Sequence, residues 1–316
     1  MRKTQVVTSL QELQALRPAW ESVYRVGEHT MFQSFSWNYL AAQVFTPGSL
    51  YLVYSESQNG AAIIPSAVED STVCFLGDDL FDYRDVLACG DQGVLREAWN
   101  RLAKLGLPLC IRAVRGQRLE HWRTVGFVPQ PFASAPQVRP SVCSAEDFTA
   151  YHRRAARCSR RITRAGARLR CYSGSASPLI RRIYEGKAAN AAEGNLFSDR
   201  VRVEFMVAAA ALDPFACEIF TFEAGPAFVA ALVTFRDGAV RRFYTIDYAR
   251  NWASYSPGVA LVYEVTCRSL AAGMECDYMT GEHPYKMRFA TSAEPLFSVQ
   301  ASAEELRRVT EYGEAA

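Results

Sequence analysis

Long apolar runs are missing from this chain: none of its 316 residues lies in a stretch approaching the roughly 18–20 that a membrane-spanning helix needs. The opening Met1-Arg2-Lys3-Thr4-Gln5-Val6-Val7 lacks the hydrophobic core and cleavage site of a secretory signal, so the expected location is the cytoplasm. Excess charge is missing too. Lys and Arg total 35 against 33 Asp and Glu, a formal net charge of +2, which argues against capture of polyanions by the overall field. Histidines number four (29, 121, 152, 283) and lie far apart, and the nine cysteines form no C-x-x-C pair. Neither set has metal-ligand spacing, so no metal site is expected and the thiols read as reduced and buried.

What remains is an ordinary globular composition, 49% hydrophobic and 22% charged, in a chain long enough for two domains with separate cores. Prolines 129, 131, 136 and 140, with Ser and Ala between them, mark a boundary. The expected domains are 1–140 and 141–316. In the first, Leu10, Leu13, Leu16, Trp20 and Val23 recur at helical spacing and predict a helix over 9–25. Strand-like runs follow at 50–54, 61–64, 73–76 and 85–88, then a helix over 94–105 that stops at Gly106. The second domain opens with helices over 145–170, 178–193 and 199–212. Strands over 217–222, 228–235 and 240–248 come next, joined by Ala224-Gly225-Pro226 and Arg236-Asp237-Gly238 as a meander of antiparallel hairpins.

The halves rhyme. Arg101-Leu102-Ala103-Lys104-Leu105-Gly106 precedes Leu109-Cys110-Ile111 as Arg268-Ser269-Leu270-Ala271-Ala272-Gly273 precedes Cys276-Asp277-Tyr278. Each half runs strands, a Gly-capped helix, then a strand, which implies a tandem duplication of one α/β unit with a mixed sheet. Before its helix the first copy has Gly90-Asp91-Gln92-Gly93, a carboxylate where a phosphate would have to sit. The second has Ser256-Pro257-Gly258 and no acid, so it is the copy expected to hold an anionic cofactor while the first is structural.

The stretch 244–286 carries most of the information. The strand Phe243-Tyr244-Thr245-Ile246-Asp247-Tyr248 is rich in β-branched and aromatic residues. It leads to Tyr255-Ser256-Pro257-Gly258, where Ser suits a cap, Pro a first turn, and Gly a close approach to backbone. A helix over 259–272 stops at Gly273, and a second strand is expected to run out to Gly281-Glu282-His283-Pro284-Tyr285-Lys286. A strand feeding a helix whose first N–H groups point outward is a site for a phosphate or pyrophosphate.

These residues, together with Phe32-Gln33-Ser34 and Trp37 near the start and the Arg-rich segment after the boundary, resemble the GNAT-superfamily acyltransferases of the CelD type. Those proteins are linked to exopolysaccharide and cellulose synthesis and are similar to Fem peptidyltransferases. The resemblance implies two tandem GNAT-like domains, an acyl-CoA donor such as acetyl-CoA or a longer thioester, and N-acyl transfer to a small-molecule or sugar amine. One departure stands out: the family motif often runs from Tyr-Lys on to Trp-Gly, and Phe289-Ala290 stands there instead.

Acyl transfer from a thioester to an amine needs a base for the amine, hydrogen-bond donors for the oxyanion, and a proton or charge for the departing thiolate. The amides of Gly258, Val259 and Ala260 with the Ser256 hydroxyl are the candidate pyrophosphate cradle. Lys286 is the candidate electrostatic stabiliser, against the reading of a solvated surface charge. Tyr285 and Tyr255 are candidate acids, against packing residues. Glu282 is the preferred base, with His283 a rival and Asp247 either a base, a substrate contact or a turn-capping carboxylate. In the predicted helix 148–170, Phe148, Tyr151, Ala155, Cys158, Ile162, Ala165 and Leu169 form an apolar stripe, with Arg153, Arg157, Arg160, Arg161, Arg164 and Arg168 on another face. Arg157 and Arg161 are candidate contacts to an anionic substrate, against a merely solvated basic face. Two other readings stay open: a Fem-like transferase using charged tRNA, with this helix as docking face, and a catalytically silent scaffold in a polysaccharide-synthesis assembly. Exposed interleaved aromatics are lacking, so other nucleic-acid binding is not expected.

Overall fold

The structure, a computed structural model, describes residues 2–173, 177–190, 196–213 and 215–312. Its elements, numbered in chain order, begin with β1 (Lys3–Val7), α1 (Leu10–Ala15), α2 (Arg17–Val26), α3 (Phe35–Val44), β2 (Leu52–Ser57), β3 (Gly60–Ile64) and β4 (Ser66–Glu69). There follow β5 (Thr72–Phe75), β6 (Leu87–Gly90), α4 (Gln92–Ala103), β7 (Leu109–Arg115), α5 (Leu119–Val125), β8 (Gln130–Val138), α6 (Ala145–Tyr151) and α7 (Arg153–Arg164). Next are β9 (Arg168–Ser173), α8 (Ser177–Asn190), α9 (Arg200–Leu212), β10 (Cys217–Ala224), β11 (Ala227–Asp237) and β12 (Val240–Tyr248). Last come α10 (Pro257–Ala271), β13 (Glu275–Asp277), α11 (Pro284–Phe289), β14 (Ser292–Ala301) and α12 (Ala303–Tyr312).

The fold is mixed α/β, in two units: Met1–Ala133 with Pro295–Ala316, and Ser134–Glu294. This differs from a simple cut at 140. β14 pairs antiparallel with β7, Leu296 opposite Arg115 and Ala301 opposite Leu109, so the last segment completes unit 1. The proline-bearing stretch is itself strand β8, whose Gln137 and Val138 pair with Asp277 and Cys276.

Unit 1 holds strands in the orders β1-β2-β3-β6 and β4-β5-β7-β14. Pro65 separates β3 from β4, since it has no N–H to give a ladder. Its core centres on Trp99, Trp122 and Phe127 with Ile64, Phe75, Leu95 and Ile111. The helix expected over 9–25 is two, α1 and α2, because Pro18 brings no N–H to continue the first.

Unit 2 is a single sheet ordered β8-β13-β12-β11-β10-β9. Its β10–β11–β12 meander is antiparallel, as the hairpin signals predict, and β13 lies parallel to β12. Buried Phe220, Phe222, Leu232, Phe243, Tyr278 and Phe289 pack with Leu261 and Val265 of α10. α10 is buried on most sides, the scaffold helix that its apolar sequence implies. Among the described residues no helix is long and apolar enough to cross a membrane.

Two local expectations change. The helix over 145–170 is interrupted at His152 and ends at Ala165, with Gly166 at φ 97° turning the chain. Arg168-Leu169-Arg170-Cys171 then alternates with period two and pairs with β10 as β9, so Leu169 and Arg168 do not belong to the helix. The segment expected to end a strand at 286 instead starts α11 at Pro284, where proline's fixed φ suits the first turn. Of the helix over 178–193, residues 191–193 lie outside the described residues.

Candidate active site

β12 and β13 pair only through Val240, Arg241 and Arg242 with Glu275, Cys276 and Asp277. β12 runs on to Tyr248, and its register against β11 slips at Tyr244, between the pairs Thr234–Phe243 and Val233–Thr245. Such a bulge bends and twists a strand. Past it, side chains alternate: Ile246 and Tyr248 turn to α10, where a Cβ on Gly258 would meet them at 3.3 and 3.6 Å. Thr245 and Asp247 turn to α8, where Tyr184 donates to the Thr245 hydroxyl at 3.0 Å. A cleft of about 250 Å³ lies on the α10 side, walled by Ile246, Tyr248, Ala253, Pro257, Val259 and Tyr285, with Ser256 and Gly258 at its edge.

The start of α10 opens on this cleft. Ser256 sits in the left-handed region (φ 54°, ψ 54°), and its side chain caps no helix N–H. For a non-glycine residue that conformation costs about 1–2 kcal/mol. Pro257 brings no N–H, and the Ala260 N–H goes to the Ser256 carbonyl at 3.1 Å. The candidate cradle therefore contracts to the amides of Gly258 and Val259. The Ala260 N–H is used within the first turn, while the Ser256 hydroxyl, which caps no helix N–H, stays beside the amides of Gly258 and Val259 at the cleft.

Ser256 also edges a second, basic groove of about 620 Å³ lined by Arg154, Arg157, Cys158, Arg161 and Ser254. An adjoining recess takes in Arg164 and Tyr255. Ala155 and Ile162 bury the other side of α7, and Ser159 donates to Glu264 of α10, which is half-buried against α7. Packing against α10 is what brings the arginines beside its start. Arg161 donates to the Ser254 carbonyl and lies 4.8 Å over the Tyr255 ring, which contacts Trp252.

The remaining sequence candidates scatter. Tyr285 reaches the cleft, and burial pushes its hydroxyl up to about 12. Tyr255 lies in the basic recess under Arg161. Lys286 is buried, its ammonium donating to the carbonyls of Thr280 (2.7 Å) and Met279 (3.3 Å). It closes the 279–286 turn, where Met279 is itself at φ 64°. Glu282 is exposed and accepts from Ser134 at 2.9 Å. His283 is exposed and stacks on Tyr285.

Asp247 is better placed. Burial raises its carboxyl above the usual range, while the Tyr248 N–H and the charge of Lys187 pull it back. Lys187 of α8 is lowered by its own burial, reaches the Ile246 carbonyl at 3.5 Å and stands 5.5 Å from the Phe197 ring. Sequence reading passed over Lys187 and Tyr184. Their i,i+3 spacing on one helix face was the available signal.

A family model for an acetyltransferase (GNAT) domain matches residues 150–287. No curated protein sequence matches significantly. Among solved structures, the C-terminal domain (DUF2156) of a protein assigned as a lysylphosphatidylglycerol synthetase from Agrobacterium fabrum is similar at TM-score 0.63 and 11% identity, covering 96% of each chain. FemX is similar at TM-score 0.59 and 9% identity, covering 98% of this chain and 100% of its own. A tandem GNAT protein from the clavulanic acid biosynthesis pathway gives TM-score 0.53 and 11% identity over 96% of this chain and 99% of its own. At such identities the likeness is one of fold: two GNAT-like domains in tandem.

Proposed function

We propose that unit 2 transfers an acyl group from acyl-CoA to the amine of a small molecule or amino sugar, in line with the CelD-type resemblance. One observation carries this reading: the apolar cleft beside β12 meets, at Ser256, both an uncapped helix start and a groove of arginines. That order suits a ligand with an apolar arm and a phosphorylated end. The amides of Gly258 and Val259 would take the pyrophosphate, helped by the partial positive charge of the helix start. Arg157 and Arg161 would neutralise further phosphate. The absent Cβ of Gly258 leaves room that any side chain would take from the thin arm.

For the chemistry, Asp247 is the proposed base, acting from the α8 face of β12 on an amine that approaches there, while the thioester would reach across from the cleft past the last β12–β13 pair. A carboxylate raised by burial binds the amine proton more readily than an exposed one, and the Lys187 ammonium favours its charged form. Tyr285, protonated at any physiological pH, would give its proton to the leaving thiolate. Lys286 would act at a distance, by fixing the turn that carries Tyr285.

The basic groove also supports a second reading, in which the acyl donor is a charged tRNA. Calorimetry of the full chain with acetyl-CoA and longer acyl-CoAs separates the two. Saturable binding that Gly258→Asp abolishes is expected. No binding of any acyl-CoA, with amine acylation that requires RNA, would overturn the thioester reading.

A further inference from the structure

Unit 1 holds a cleft of its own, of about 290 Å³, whose walls include Glu69, Asp79, Arg84, Arg112 and two cysteines, Cys74 and Cys110. Their meeting is dictated by register. β5 and β7 run parallel with Val73 opposite Leu109. Val73, Phe75, Leu109 and Ile111 all turn into the core. Because successive side chains alternate faces, Cys74 and Cys110 stand side by side on the other face, toward the cleft. Paired strands lie about 4.8 Å apart, within the roughly 4.4–6.8 Å that a disulfide spans between Cα atoms. Both are free and half-buried.

We propose that Cys74 and Cys110 form a dithiol modification site in unit 1 that a peroxide closes to a disulfide. The proposal rests on unit 1 alone and is independent of the transferase reading. Burial and neighbouring Glu69 push the Cys74 thiol up to about 12, against the opposing charge of Arg84. The first attack therefore falls to Cys110. Its thiolate forms an S–O bond to one peroxide oxygen, the O–O bond breaks, and hydroxide leaves and takes a proton to become water. The Cys74 sulfur then attacks the resulting sulfenic acid. The S–S bond forms, the S–O bond breaks, and a second water departs with the Cys74 proton. The two sulfurs lose two electrons and the peroxide is reduced to two waters. The crosslink closes a loop that contains β6 and α4 and so restrains the unfolded chain.

The test treats the full chain with hydrogen peroxide and maps its peptides without reduction. The peptide of Cys74 is expected joined to that of Cys110, separable by dithiothreitol, with Tm raised by several degrees in the wild type only. In Cys74→Ser, whose fold circular dichroism checks, dimedone should label Cys110. Linkage of other cysteine pairs instead, or over-oxidation of Cys110 with no link in the wild type, would overturn the proposal.

Discussion

The starts of α4 and α10 are alike in sequence geometry and opposite in what they do with it. Both helices carry glycine at the second position, Gly93 and Gly258, and both lead to a strand in a parallel pair. In unit 1 the Asp91 carboxylate caps the helix itself, accepting the Gly93 N–H at 2.8 Å. Arg2 lies over the same turn, 3.4 Å from Asp91 and against Gly93. In unit 2 Ser256 is turned into the left-handed region and caps nothing, and Gly258 faces a cleft. The flanking strands differ as well. β12 and β13 pair with each other over three residues, whereas β6 pairs with β3 and β7 with β5. One copy satisfies its helix start with its own carboxylate; the other has no side chain capping it.

Substitutions can break that contrast. The largest effect should come from Asp247→Asn, which removes the proposed base and leaves the helix start untouched. Turnover should fall by about 10²–10⁴-fold while acyl-CoA affinity stays constant. In the wild type the acid limb of kcat/KM should lie above the ordinary carboxylate range, since protonation of Asp247 stops the reaction and burial raises its pKa. Lys187→Met should move that limb higher still, because the ammonium, after the Tyr248 N–H, helps hold the carboxyl down. A limb unmoved in Lys187→Met would detach the pair from catalysis.

Gly258→Asp gives α10 a carboxylate where α4 has one. Acyl-CoA affinity should drop by about 100-fold, or ~2.7 kcal/mol, measured by calorimetry. A change of less than threefold would mean the two helix starts differ in form only. Smaller again, Arg157→Ala should weaken binding by roughly three- to tenfold at low salt and flatten its salt dependence, as expected for a partly screened charge. The smallest effect belongs to unit 1. Asp91→Ala should lower Tm by a few degrees and leave acyl-CoA binding unchanged. The Gly93 N–H holds the Asp91 carboxyl below its ordinary value, so its stabilisation is present above the unfolded pKa and lost as pH falls through the folded one. The Tm gap between variant and wild type should therefore close in acid.

Much of the scaffold is legible because local signals agree with the final fold. Gly225 and Gly238 turn the meander with positive φ, and the apolar run of 259–270 can only be a buried helix. The contrast between Asp91 and Ser256 is equally legible, since a cap is a matter of a few neighbouring residues. Reading failed where a neighbour decides. Arg168–Ser173 follows helical arginines in the sequence, yet the open edge of β10 takes it as a strand. Where the side chains of Lys286 and Glu282 go is likewise set by neighbours: one donates to the carbonyls of its own turn and the other accepts from Ser134 at the surface.

Sequence alone settled the antiparallel meander, the Gly-capped helices α4 and α10, and which helix start lacks its own acid, because propensity, capping and periodicity act over a few residues. Tertiary structure alone decided that the arginines of α7 border that start, that Asp247 finds Lys187 across from α8, and that Cys74 meets Cys110. Those depend on packing and register between segments far apart in the chain, where the burial of apolar faces fixes which polar groups become neighbours.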